Sequence, residues 1–215
     1  MLVARIEFGA APEKRSARSR LKAAAASYLA SLTKSGQICN SYLLAWTGGV
    51  LTAFTKIPRA DSLAPQKHPK WQMTALEELT QAVGKSPEVT VIDDEAPRGI
   101  AHWKRSSFLF LSPDYFDDCS PLYSGDTGRV VPLYELTEPD ELAESITFWS
   151  REYRHHYGVW LSSGELEIPA YKQVADVASR LSKLGREYCS QIETTTGIPC
   201  YYYLTRYWGR RDHNK

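Results

Sequence analysis

Several things are scarce or missing in this chain of 215 residues, and each absence removes a class of function. No apolar run approaches the ~20 residues that a membrane span needs, so the sequence predicts neither a bilayer-crossing helix nor a signal peptide's apolar segment. No Cys-x-x-Cys occurs among the four cysteines, Cys39, Cys119, Cys189 and Cys200, which excludes a zinc ribbon written in this sequence. Scattered as they are, with no export signal, the cysteines read as reduced cytoplasmic thiols. A surplus of one charge sign is also missing: the formal net charge is +1, too little for a protein built to coat nucleic acid. There is no Gly-rich phosphate loop, no Ser/His/Asp order of recognisable spacing and no paired zinc ligands. By motif, then, the chain is not an enzyme, and no cofactor or metal is expected.

What is present is an ordinary globular composition, 43% hydrophobic and 24% charged, with neither internal repeats nor low-complexity segments. The Arg-, Ser- and Ala-rich stretch near the N-terminus has the make-up of a transit peptide. Its apolar residues nevertheless recur at helical spacing, Leu21, Ala24, Ala25, Tyr28, Leu29 and Leu32, with Arg15, Arg18 and Lys22 on the other side, which predicts a folded helix from Pro12 to about Ser35. Alternation predicts a first strand around residues 3–8, and Gly48-Gly49 between ICNSYLLAW and VLTAFTKI predicts a hairpin. A second helix is expected from Pro69 to Val83, followed by short strands in EVTVID and SSFLFLS. Residues 113–128, rich in Pro, Gly and Asp, read as a long loop, and VVPLYEL as a strand with Pro132 at an edge or bulge. Two amphipathic stripes follow, one through Leu142, Ile146, Trp149, Tyr153, Tyr157 and Trp160, the other through Tyr171, Val174, Ala178, Leu181, Tyr188 and Ile192. The chain should therefore fold as α+β, a mostly antiparallel sheet packed against several amphipathic helices, in a single compact domain over 1–209 with a short basic tail at 210–215.

Three constellations resemble chemistry. Glu152 and His155, with His156 beside them, have the Glu-x-x-His spacing of a di-iron helix, but a second such helix is missing and a solvated polar face is the better reading. Ser31 and Lys34 have the spacing of a serine nucleophile and lysine base without the companion motifs. Asp114, Asp117, Asp118 and Asp126 supply carboxylates in an order that matches no calcium loop, so turn chemistry explains them.

SGQICN at 35–40, CSPLYSGDTGRVVPLYEL at 119–136, SRLSKLGREYCSQIE at 179–193 and TGIPCYYYLTRYWG at 196–209 together resemble a bacterial family of zinc-ribbon-containing proteins, domain of unknown function 2310, for which nucleic-acid binding is the suggested role. The likeness implies that a two-knuckle ribbon should follow the YYYL strand. Here the sequence runs to Lys215 without one, and Ser124 and Thr127 stand where the family has loop cysteines. We therefore expect a ribbonless derivative whose aromatic, basic end serves protein binding: an immunity protein that occludes a secreted toxin, with a protein partner, weak or no nucleic-acid binding and no membrane. The expected contact residues are Asp117, Asp118, Tyr123 and Asp126 in the acidic loop and Arg206 and Trp208 in the tail. The alternative is a nucleic-acid-associated regulator using the basic first helix with Arg206, Arg210 and Arg211 and stacking bases on the tail aromatics.

Overall fold

The computed structural model describes residues 1–39, 41–93, 99–115, 119–136, 141–162 and 164–206. Its first half runs β1 (Leu2–Ala10), α1 (Arg15–Lys34), β2 (Tyr42–Thr47), β3 (Val50–Ile57), α2 (Lys70–Val83) and β4 (Glu88–Asp93). The strands pair in the order β2-β3-β1-β4, every pair antiparallel. This is a split βαβ arrangement: each helix crosses over so that its two strands are separated by another. The alternation along β1 is what places it centrally. Ala4, Ile6 and Phe8 have no exposed surface, and they meet Leu21, Ala25, Leu29 and Leu32 of α1, Leu79 of α2 and Leu51 and Ala53 of β3. Burying each of the larger side chains contributes roughly 1.5–3 kcal/mol. Gly48 and Gly49 both take positive φ, as the two-residue turn between β2 and β3 requires.

The second half has its own core. β5 (Leu109–Leu111), β6 (Leu122–Ser124) and β7 (Cys200–Tyr202) form a sheet in the order β6-β5-β7, with β5 and β7 parallel. It packs on α3 (Glu141–Ser162), α4 (Glu167–Ala175) and α5 (Arg180–Thr196) through Leu109, Leu111, Leu122, Ile146, Trp149, Val174, Leu181 and Ile192. The α+β expectation holds, with two sheets in place of one. The second helical stripe breaks into α4 and α5 around Asp176–Ser179, and the Ser179 hydroxyl caps α5 by accepting from the Ser182 amide. VVPLYEL is not a strand. Pro132 has no amide to give a ladder, so pairing is limited to a Tyr123–Val130 bridge and the chain turns into a 3-10 helix at Leu133–Glu135.

The halves are joined covalently, which corrects the expectation of four reduced thiols. Cys39 and Cys119 form a disulfide, 80 positions apart in sequence with Cα atoms 4.5 Å apart. Separation along the chain hid a pairing that tertiary structure creates, because the loop after α1 lies against the segment leading into β6. Around it Lys34 pairs with Glu144 (2.9 Å) and Arg59 with Glu135 (2.5 Å), while the hydroxyls of Ser62 and Tyr134 share a hydrogen bond (3.0 Å). Gln37, fully buried, donates to the Ser62 carbonyl (2.7 Å) and contacts His68 Nδ1 (3.2 Å), whose Nε2 meets the Tyr28 hydroxyl (2.8 Å). Burial holds His68 down at about 4, so it stays neutral at neutral pH.

Candidate docking surface

Strand alternation divides the second sheet into two chemically different faces. Leu109, Leu111, Leu122, Cys200 and Tyr202 belong to the helix-covered side. The register sets Tyr123, Phe110 and Tyr201 side by side across the opposite one. Phe110 stacks on Tyr123 with centroids 5.2 Å apart, and Phe108 meets Tyr201 edge-on at 5.8 Å. Tyr203 extends the row, since its amide donates to the Leu111 carbonyl and continues the ladder past β7. Three members are open to solvent: Phe108 at 37%, Tyr201 at 60% and Tyr203 at 55% exposure.

The loop sequence SGDTG positions this face. Gly125 donates its amide to the Phe108 carbonyl (2.9 Å), and a Cβ on Gly125 would fall 2.0 Å from the Phe108 ring, so only a hydrogen there lets the ring lie flat. Asp126 accepts from the Ser107 amide (2.6 Å) and the Ser107 hydroxyl, which together hold its carboxyl below the usual carboxylate range. Beneath them the Ser106 hydroxyl donates to that of Ser124 (2.8 Å).

Of the residues expected to bind a partner, Tyr123 is 8% exposed and flanks the row as packed structure. Asp126 is exposed but engaged as a turn carboxylate, and Arg206 is exposed at the end of the described chain. Asp117, Asp118 and Trp208 lie outside the described residues, as do Arg210, Arg211 and the tail. The structure thus brings together the loop and the strand that the sequence offered as alternative surfaces. What sequence reading missed is Phe108 and Phe110. The signal was there, in the alternation of Phe108 and Phe110 with Leu109 and Leu111.

Of the remaining constellations, His155 lines the cleft at the end of α3. Glu152 pairs with Arg180 (2.7 Å). Ser31 is buried and donates to the Tyr28 carbonyl (2.6 Å), while Lys34 is taken by Glu144. Among the described residues no group of three or more His, Cys, Asp and Glu gathers as a metal site would need, and no helix is long and apolar enough to cross a membrane. Along α3 an aromatic ladder runs from Trp149 through Tyr153 and Tyr157 to Trp160, ending beside an open cleft of about 730 Å³ lined by Tyr115, Arg154, Val159 and Leu166 among others.

No solved structure matches this chain. Two proteins of Haemophilus influenzae, each described as an uncharacterized protein, are similar to it. One is 30% identical over 155 residues, covering 71% of this chain and 59% of the relative, and the other 33% identical over 101 residues, covering 46% and 50%. The chain thus spans between half and three-fifths of the length of these relatives. Residues 103–205, nearly the whole of the second core with its aromatic face, match the family model described as Domain of unknown function (DUF2310).

Proposed function

We propose that this protein is a non-enzymatic binding module that inhibits another protein, an immunity protein that covers the active site of a cognate toxin. The observation that supports this reading is the row of outward aromatics on the second sheet. Phe108, Tyr201 and Tyr203 present large, rigid, amphipathic surfaces, and a tyrosine that is already held by a strand loses little conformational entropy on binding. Asp126, bonded to Ser107 beside Phe108, and the exposed Arg206, three residues past Tyr203 in sequence, supply charges of both signs, suited to orienting a partner. A cytoplasmic setting fits an inhibitor that meets its toxin before export. The Cys39–Cys119 bond fits a reducing compartment poorly, so its redox state in cells separates a cytoplasmic inhibitor from an exported one.

The test is a titration against the toxin-like product of a neighbouring gene. The Tyr201→Ala/Tyr203→Ala variant should bind about 30-fold more weakly, corresponding to about 2 kcal/mol. Unchanged affinity would remove this face from the interface, and a product of that kind that the wild-type protein neither binds nor inhibits would end the immunity reading.

A second reading, a nucleic-acid-associated regulator, is favoured by the same tyrosines, because every base can stack on an exposed ring. Anisotropy with a labelled single strand at physiological salt distinguishes the two. Sub-micromolar binding that the double variant abolishes selects the second.

A further inference from the structure

The two cysteines outside the disulfide are not strays. Gly185 and Cys189 lie one turn apart on the same side of α5, and Cys200 and Tyr202 lie two residues apart on the same side of β7. Gly185 sits directly against Tyr202: a Cβ there would come within 2.5 Å of its ring. Because α5 reverses through Gly197 and Pro199 into β7, the two elements run antiparallel, and one step from that contact towards the turn brings Cys189 opposite Cys200. Both are free and buried in the second core, at 5% and 8% exposure, where Cys189 is near enough to act on the Cys200 thiol.

We propose that Cys189 and Cys200 are a second, oxidisable pair, closed by a small-molecule disulfide such as glutathione disulfide into a bond that fastens β7 to α5. The reaction is two exchanges. One cysteine thiolate attacks a sulfur of the oxidant, forming a mixed disulfide and expelling a glutathione thiolate. The second cysteine thiolate then attacks the protein-side sulfur, forming the Cys189–Cys200 bond and expelling the other glutathione thiolate. Two electrons pass from the protein to the oxidant, and the two thiol protons end on the released glutathione. Access comes from the strand itself. Among the described residues β7 is a three-residue strand at the sheet edge, bonded on one side only, to β5, and such segments open at low free energy. While the strand is closed, contact with Cys189 and burial push the Cys200 thiol up, which keeps that thiol protonated and slow to react.

The consequence falls on the outward face. Tyr201 and Tyr203 are carried by the strand that the bond would fasten, so oxidation would hold the aromatic row in one geometry. This consequence rests on the docking role proposed above; the bond itself does not.

The experiment uses the full chain with Cys39–Cys119 intact. After incubation with glutathione disulfide, intact mass should fall by two hydrogens, and peptide mapping should find Cys189 linked to Cys200. Closure should quicken with rising pH, and amide exchange at 201–203 should slow in the oxidised form. Cys189→Ser should stop at a glutathione adduct on Cys200. If both thiols remain fully alkylatable after incubation long enough for the 201–203 amides to exchange, or if the new bond joins other cysteines, the proposal is wrong. If the bond forms but partner affinity is unaffected by it, the docking reading is what fails.

Discussion

At the residue scale, the space available to one Cβ separates positions that look alike in sequence. Gly125 and Gly128 both sit in the SGDTG turn, yet a Cβ at Gly125 meets Phe108 whereas at Gly128 nothing lies within 4 Å. Gly125→Ala should therefore cost about 1–3 kcal/mol through displacement of the Phe108 ring, read as a lowered Tm. An unchanged Tm would mean that the ring relocates freely and is not part of a fixed face. Tyr201→Ala should leave Tm nearly unchanged, because the side chain is 60% exposed. Phe108 and Tyr201 were both visible in the sequence as aromatics, but a linear pattern cannot say which glycine makes room for which ring.

His68 gives a pH dependence at the same scale. Its neutral form is held by burial between Tyr28 and Gln37, with the folded value lowered to about 4 against an ordinary 6.5. Well above 6.5 neither folded nor unfolded chain is protonated there, and the residue contributes no slope. Between about 6.5 and 4 the unfolded chain binds the proton and the folded chain does not, so stability falls as the pH falls. Urea midpoints measured from pH 7 to 4.5 should decline, and His68→Asn should flatten that decline. A slope identical in the variant would assign the acid sensitivity to other groups.

At the element scale, the long periodic segments were legible and the short ones were not. The stripe through Trp149, Tyr153, Tyr157 and Trp160 gave α3, and Gly84 and Gly197 mark helix ends in the left-handed conformation. Strands of three residues, such as β6 within the Pro- and Asp-rich 113–128 segment, carry too little alternation to rise above turn chemistry. Their existence depends on long-range pairing with β5. The break between α4 and α5 was likewise written in a single residue, Ser179, whose hydroxyl takes the Ser182 amide at 3.1 Å. Ser179→Ala should cost about 1 kcal/mol, whereas Ser179→Asp should restore most of it. Equal loss in both variants would show that the hydroxyl's other bond, donated to the Gln173 carbonyl, dominates.

At the scale of the whole molecule, the fold is two helix-backed sheets held along a seam, and the seam is what composition and periodicity could least reveal. Among the described residues the ties across it join residues remote in sequence, among them Arg59 with Glu135, Ser62 with Tyr134, Lys34 with Glu144, and Cys39 with Cys119. Three of these are polar contacts that solvent can replace. The disulfide closes a loop of 80 positions and restricts the unfolded chain whatever the solvent does. In the chain-entropy account, a loop of that size corresponds to about 4.5 kcal/mol of stabilisation at 25 °C, lessened by whatever residual structure the reduced chain retains. Cys39→Ser, Cys119→Ser and the double variant should therefore lose the same stability, since either substitution removes the whole cross-link. The three denaturant midpoints should coincide with that of the reduced wild-type chain, while the near-ultraviolet spectrum keeps its native aromatic signals. If instead the second core, where the aromatic row resides, melts apart from the first in two resolved transitions, the bond supplies the cooperativity between the halves as well as stability. If reduction leaves the midpoint unmoved, the cross-link is not what holds the seam.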